Sequence, residues 1–135
     1  MADCWLDAAA RYGVRPLELA AIACVESGLR PDAVHANGPR TAPDVGLMQI
    51  NASHLAHLAA YGVRAEHLRQ PCVSIMLGAW VLARAKAAHG DTWQAIGAYN
   101  AGCSRLKGAA CQSARARYAW QVWTAMRRLE ASGRC

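Results

Sequence analysis

Glu26, in the stretch "ACVESGLRP" at residues 23–31, falls on the apolar side of its own helix. Ala23, Ile22 and Leu19 stand three, four and seven positions before it, the spacings that define one helical face. An ionised carboxylate on such a stripe is costly. Burial raises a carboxyl pKa, and an acid kept neutral near physiological pH can protonate a leaving oxygen. Cleavage of a glycosidic bond needs such an acid. At the last turn of a helix the same side chain could equally turn outward, and periodicity alone leaves both readings open.

Other chemistries are weaker. His54 and His57 in "HLAH" could lend two metal ligands from one helix face, but there is no HExxH and no third ligand at recognisable spacing. They read as solvated surface histidines, and neither a metal nor a cofactor is expected. Ser27 has no base partner in view and GxSxG is absent, which excludes that type of serine hydrolase. The segment "SARARYAWQVWTAMRR" at 113–128 is basic with interleaved aromatics. Tyr118 and Val122 share a helical face, so part of that aromatic content belongs to a core. A solvated basic face is favoured over a nucleic-acid surface. Gln49, Tyr99 and Asn100 are polar groups embedded in apolar runs, which implies directed hydrogen bonds.

The elements that must position these residues are almost all helical. "DCWLDAAARYG" predicts a helix from near Asp3 to Gly13. "PLELAAIACVES" has Pro16 suited to a first turn and stops before Gly28. A Gly/Pro-rich loop follows, then shorter helical pieces across 47–69. Pro71 opens a segment to His89 that is apolar on nearly all sides, as the central helix of a domain is. "DTWQ" at 91–94 has the spacing of a capping box and starts the next helix. The last helix carries Tyr118, Val122, Ala125 or Met126, and Leu129 on one face. The fold class is all-α: a single helical domain over residues 1–135, with room for a small hairpin in the 28–46 loop.

Composition bounds the setting. An apolar fraction of 54% suits a folded chain, and a net charge of +6 suits a polyanionic partner such as nucleic acid, anionic lipid or bacterial wall. The run "IMLGAWVLA" at 75–83 is about half of the roughly 20 residues that span a bilayer, so no membrane span is expected. "MADCWLD" carries no export signal. The six cysteines form no CxxC, and their even, spread-out number suits disulfides over reduced buried thiols. An exported, periplasmic protein whose signal peptide has been replaced by Met1 is the expectation.

Three segments in order, "ESGLRPDAV" at 26–34, "DVGLMQIN" at 44–51 and "AYNAG" at 98–102, resemble the soluble lytic transglycosylase family, which is related to goose-type lysozyme. The likeness covers nearly the whole chain and is strongest to the small specialised transglycosylases of type III secretion and conjugation systems. It implies a lysozyme-like domain acting on peptidoglycan glycan strands, as a monomer, in or beside a secretion or conjugation machine. It gives Glu26 the role of single catalytic acid/base, followed by Ser27 as in the family's Glu-Ser pair. Gly46, Leu47, Met48, Gln49 and Ile50 match the segment that shapes the glycan cleft, with Gln49 its hydrogen-bonding member. Tyr99, Asn100, Ala101 and Gly102 match the motif beside the scissile bond. Leu47, Met48 and Ile50 are also natural core residues, and Gly102 could simply end a helix.

Two departures stand out. Where the family often has Glu-Thr-x-x-Tyr this chain has "SARARY", with Tyr118 in the tyrosine's place. The 35–43 loop, "HANGPRTAP", carries insert-like residues. Asp44 is the one obvious second carboxylate; a hydrolase would use it, whereas the resemblance favours a loop-ordering acceptor. The implied reaction has Glu26 protonate the oxygen between N-acetylmuramic acid and N-acetylglucosamine. The cation is stabilised by the N-acetyl oxygen, Tyr99 and backbone carbonyls. Glu26 then takes the C6 hydroxyl proton as a 1,6-anhydro ring closes. The rivals are a hydrolytic muramidase and a non-catalytic wall-binding secretion accessory. For the thiols, Cys4 beside Trp5 and Cys72 at the start of the central helix form a pair that the resemblance also suggests. Cys103 and Cys111 bracket the short loop "SRLKGAA", and Cys24 with Cys135 is the pair left over among 15 connectivities.

Overall fold

The structure, a computed structural model, describes residues 2–103 and 106–135. Met1, on which the replaced export signal rests, and Ser104 and Arg105 of the "SRLKGAA" loop lie outside the described residues. Six α-helices carry the described chain: α1 (Ala2–Tyr12), α2 (Pro16–Ser27), α3 (Leu55–Leu58), α4 (Pro71–His89), α5 (Trp93–Asn100) and α6 (Gly108–Ser132). Single 3-10 turns at Ala52–His54, Ala59–Tyr61 and Ala65–Arg69 fill the stretch around α3. The lysozyme-like, mainly helical class expected from the sequence is what forms.

The 28–46 loop, which left room for a small hairpin, forms one as β1 (Val34–His35) against β2 (Asp44–Val45). A third strand, β3 (Ile50–Asn51), extends it to an antiparallel sheet in the order β1-β2-β3. Asp44 lies opposite His35 on one side and Asn51 on the other. Strands of two residues have no room for an alternation pattern, so β3 left no signal in the sequence.

Helix α2 starts with Pro16 in its first turn and ends at Gly28, whose φ of 63° is left-handed. The Gly28 N–H bonds Cys24 O at 2.9 Å and the Leu29 N–H reaches Ala23 O at 3.5 Å, closing the helix just beyond Glu26. Helix α4 has 19 residues and reaches the length and hydropathy of a membrane span, which the run 75–83 alone does not. Here it is the helix against which α1, α2 and α5 lie, with Ser74, Ile75, Ala79 and Leu82 wholly buried.

The capping box expected at 91–94 does not form. Thr92 is the N-cap of α5, without a side-chain cap bond. Asp91 is drawn away by long-range ion pairs, accepting from Arg15 at 2.8 and 2.5 Å and from Lys86 at 3.0 Å. Lys86 also donates to Glu18 at 2.6 Å, and Arg15 to Glu18 at 2.9 Å, so that buried carboxylate is paired twice. The Asp91 carboxylate is thus engaged by two cations, and the helix starts one residue later, from Thr92.

Helix α6 lies on α2 and α5 through Tyr118, Val122 and Ala125, the face expected. Gly97 permits the α5–α6 approach: a Cβ there would sit 2.5 Å from Arg115 Cβ and 2.6 Å from its carbonyl oxygen. Three disulfides cross-link the helices, Cys4–Cys72 between α1 and α4, Cys24–Cys135 between α2 and the C-terminus, and Cys103–Cys111 at the start of α6. These are the three pairings expected.

Candidate active site

The turn at residues 46–49 is fixed by steric and hydrogen-bonding constraints from three helices. Gly46 has φ 88°, and a Cβ on it would lie 2.2 Å from Leu68 O, so only glycine fits. Leu47 and Met48 anchor the turn with side chains wholly buried in the core. Ser27 Oγ donates to Leu47 O at 2.7 Å, the Met48 N–H donates to Ser74 Oγ at 3.0 Å, and Tyr99 Oη donates to Met48 O at 2.8 Å. The product of these constraints is Gln49 at φ 53°, a sparsely populated conformation for a residue with a side chain. Its Nε2 donates to Ala33 O and Gly46 O at 3.1 and 3.0 Å. The directed bonds expected of Gln49 and Tyr99 are therefore made, and made to backbone.

Glu26 stands half-buried at the last turn of α2, facing that turn across a cleft. Tyr118 Oη donates to its Oε2 at 2.6 Å, bringing α6 into the site. Its pKa is raised from 4.5 to about 7. Burial is the main cause and the charge of Asp44 adds to it, against the opposing hydrogen bonds from Tyr118 and Asn100. Tyr99 and Tyr118 lie nearly parallel with centroids 6.5 Å apart. Burial first, then the charge of Glu26, pushes both phenols well above their usual range, so both remain neutral donors.

The cleft consists of two adjoining depressions of about 280 and 380 Å³ that share Glu26, Asn37, Asp44, Gln49 and Asn100. Tyr99, Ile50, Asn51 and His54 close one side, and Arg30, Ala33, Val34 and His35 the other. Asp44 accepts from Asn51 Nδ2 at 3.0 Å through Oδ1 and from Asn37 Nδ2 at 3.2 Å through Oδ2. Both oxygens tie the sheet and its connecting loop together, the arrangement of a loop-ordering acceptor. Among the described residues no cluster of three metal-ligating side chains exists.

Several residues expected in the cleft lie elsewhere. Ser27 is 3% exposed, and its one hydroxyl proton is spent within the core, on Leu47 O at 2.7 Å with Ala23 O the longer alternative at 3.2 Å, while the oxygen accepts the Arg30 N–H. Successive helical residues point about 100° apart, so the neighbour of Glu26 turns into the core. Gly46, Leu47 and Met48 shape the wall through their backbone, not by offering side chains. Ala101 closes α5 through its N–H to Gly97 O, and its carbonyl accepts from Arg115 Nε at 2.9 Å. His54 corrects the reading of a solvated pair: it is half-buried, edge-on to Trp80 at 5.4 Å, and lines the cleft. Burial first, then Arg84 and His57, lowers its pKa. His57 is exposed and stacks on the same indole at 6.0 Å. Asn37, Asn51 and His54 on one side and Arg30, Ala33, Val34 and His35 on the other are cleft residues that sequence reasoning did not single out as such; their one signal was closeness in the chain to Glu26, Asp44 and Gln49.

Comparison with known proteins places this geometry. The family model described as Transglycosylase SLT domain matches residues 3–121. Invasion protein IagB of Salmonella typhimurium is 38% identical over 130 residues, covering 96% of this chain and 78% of that one. Protein IpgF of Shigella flexneri is 37% identical over 134 residues, covering 98% and 85%. X polypeptide of Escherichia coli is 45% identical over 101 residues, covering 74% and 59%. The crystal structure of an inactive mutant of lytic transglycosylase Slt from Pseudomonas aeruginosa superposes with a TM-score of 0.72 over 96% of this chain and 24% of that one. At 22% identity that likeness speaks to the fold.

Proposed function

Since the chain belongs to the transglycosylase SLT domain family, the lytic transglycosylases of peptidoglycan, we propose that Glu26 alone carries the acid and base steps of its reaction, and that the enzyme opens the wall locally for a secretion or conjugation apparatus. The observation that carries the first half is a carboxyl held near pKa 7 at the floor of the cleft. At neutral pH such a group exists in both protonation states, which is what a residue that gives and then takes one proton requires.

The strand lies across the cleft with the bond between N-acetylmuramic acid and N-acetylglucosamine over Glu26. Tyr118 occupies Oε2, so the carboxyl proton sits on the other oxygen, free to pass to the glycosidic oxygen. The C1–O bond breaks as that proton arrives. Tyr99, its own proton committed to Met48 O, presents oxygen lone pairs to the developing cation. The ionised Glu26 next removes the proton of the C6 hydroxyl, whose oxygen bonds C1 and closes the 1,6-anhydro ring. An acceptor in the same sugar has a large effective concentration over water. Asp44, with both oxygens engaged by asparagines, supports this over a water-activating base.

The role beside a secretion apparatus, and a periplasmic or exported location, draw support from a relative named an invasion protein and from three disulfides, which persist in oxidising compartments. Mass spectrometry of purified wall digested with the enzyme tests the chemistry. Muropeptides lighter by one water, without a reducing muramoyl end, are expected. Reducing-end products would establish a hydrolase and promote Asp44 to catalytic base.

A further inference from the structure

The cleft does not end at Glu26. On the α6 side a further groove begins, lined by Val25, Glu26, Asn100, Arg117, Tyr118 and Gln121. It runs into a larger hollow walled by Val25, Trp120, Gln121, Thr124, Arg128 and the Cys24–Cys135 disulfide. Val25 and Gln121 belong to both, so the two join along α6. Tyr118, Gln121, Thr124, Ala125 and Arg128 recur at helical spacing and form one stripe. At 1.5 Å per residue it runs about 15 Å, the length of a few pyranose rings.

Trp120 stands at the edge of this stripe, 65% exposed, and stacks on Trp123 with ring centroids 5.0 Å apart. Two stacked, exposed indoles make a contiguous apolar patch, the kind of surface that marks an interaction site rather than a scattered single residue. An indole face is electron-rich and flat, and the axial C–H bonds of a β-linked sugar present a matching apolar, electropositive face. Gln121 and Arg128 beside it supply donors for hydroxyl and acetamide oxygens, while the Thr124 hydroxyl, its proton given to Trp120 O at 2.9 Å, offers an acceptor. A disulfide at the base keeps this end of the groove fixed relative to α2.

We propose that the α6 groove from Gln121 to Arg128, with Trp120 as its platform, is a distal saccharide-binding subsite that grips the same glycan strand beyond the catalytic cleft. The inference rests on the reading of the cleft as a peptidoglycan site and adds to it a dependence on strand length. A strand long enough to reach Trp120 is held at both places, and each contact raises the effective concentration of the other. A strand confined to the cleft gains nothing.

The test uses the Glu26→Gln protein, in which binding is free of turnover, titrated calorimetrically with peptide-free glycan strands of short and long defined length. Adding Trp120→Ala should weaken binding of long strands by about fivefold and leave short strands unchanged. Trp120→Tyr should restore most of the loss, and Trp93→Ala, an exposed indole outside the groove, should have no effect. An equal loss on short and long strands, no loss on long ones, or a loss seen only when stem peptides are attached would each overturn the subsite. Product release from whole wall by the unmutated enzyme is scored separately. Its absence would sink the catalytic reading, whereas normal product with a Trp120→Ala protein indifferent to strand length sinks only the subsite.

Discussion

Replacing Glu26 by Gln keeps the outline of the side chain and its acceptor for the Tyr118 hydroxyl while removing the charge. The carboxyl rises from 4.5 in an ordinary setting to about 7 in the fold, a difference of about 3 kcal/mol between its protonation states. Below pH 4.5 the group is neutral in both folded and unfolded chains, and Gln should change stability little. As pH climbs toward 7 the unfolded chain ionises first and the native state, still holding its proton, loses stability relative to it. Above 7 the native carboxylate is ionised against its surroundings and the full cost stands. Glu26→Gln should therefore raise the melting temperature at pH 8 by up to about 10 °C, and by almost nothing at pH 4. Thermal unfolding followed by circular dichroism at the two pH values reads the difference. Wall-clearing activity of the same protein should fall at least about a hundredfold. Equal stabilisation at both pH values, or a loss at pH 8, would refute the claim that burial of this carboxyl is tolerated for function.

Two neighbours should move the same pKa in opposite directions. Tyr118→Phe removes a hydrogen bond that favours the ionised form, so the basic limb of the pH–activity profile should shift above 7, with a several-fold drop in turnover at the optimum. Asp44→Asn removes a charge that disfavours the ionised form, so the limb should shift to lower pH while the anhydro product persists. A profile unmoved by either change would separate the activity from Glu26.

Legibility from sequence followed the range of the interactions. Periodicity put Glu26 on an apolar stripe whose Leu19, Ile22 and Ala23 are wholly buried, but it left the side chain's direction open, and the three motifs read together decided it. Gln49 and Asn100 stood out as polar groups in apolar runs and Tyr118 on the repeating face of its helix, but only motif likeness drew the three toward one site. Ser27 misled because adjacency along a helix is not adjacency in space. Asp91 misled because a local cap lost to ion pairs from Arg15, 76 positions away, and Lys86. Asn51 in a two-residue strand, His54 in a 3-10 turn and Asn37 in the loop between β1 and β2 were illegible because such segments have no repeating face that a sequence pattern can define. Their contribution to the cleft exists only after the sheet forms.

The turn at 46–49 hangs from Ser27, Ser74 and Tyr99, three side chains on three helices, and takes no support from residues 36–41. The connection between β1 and β2 is exposed over that stretch and is tied down chiefly at its ends, by Asn37 to Ala42 O and to Asp44. Residues 38–41 of the rim thus meet the site only through the ends of their loop, where Asn37 bonds Asp44 and Asp44 faces Glu26 across the cleft. Lengthening a surface loop carries only a slow, logarithmic entropic penalty. The rim can accordingly be exchanged like a fitting, by natural divergence or by grafting, to suit walls of different cross-linking or decoration while the reaction underneath stays the same.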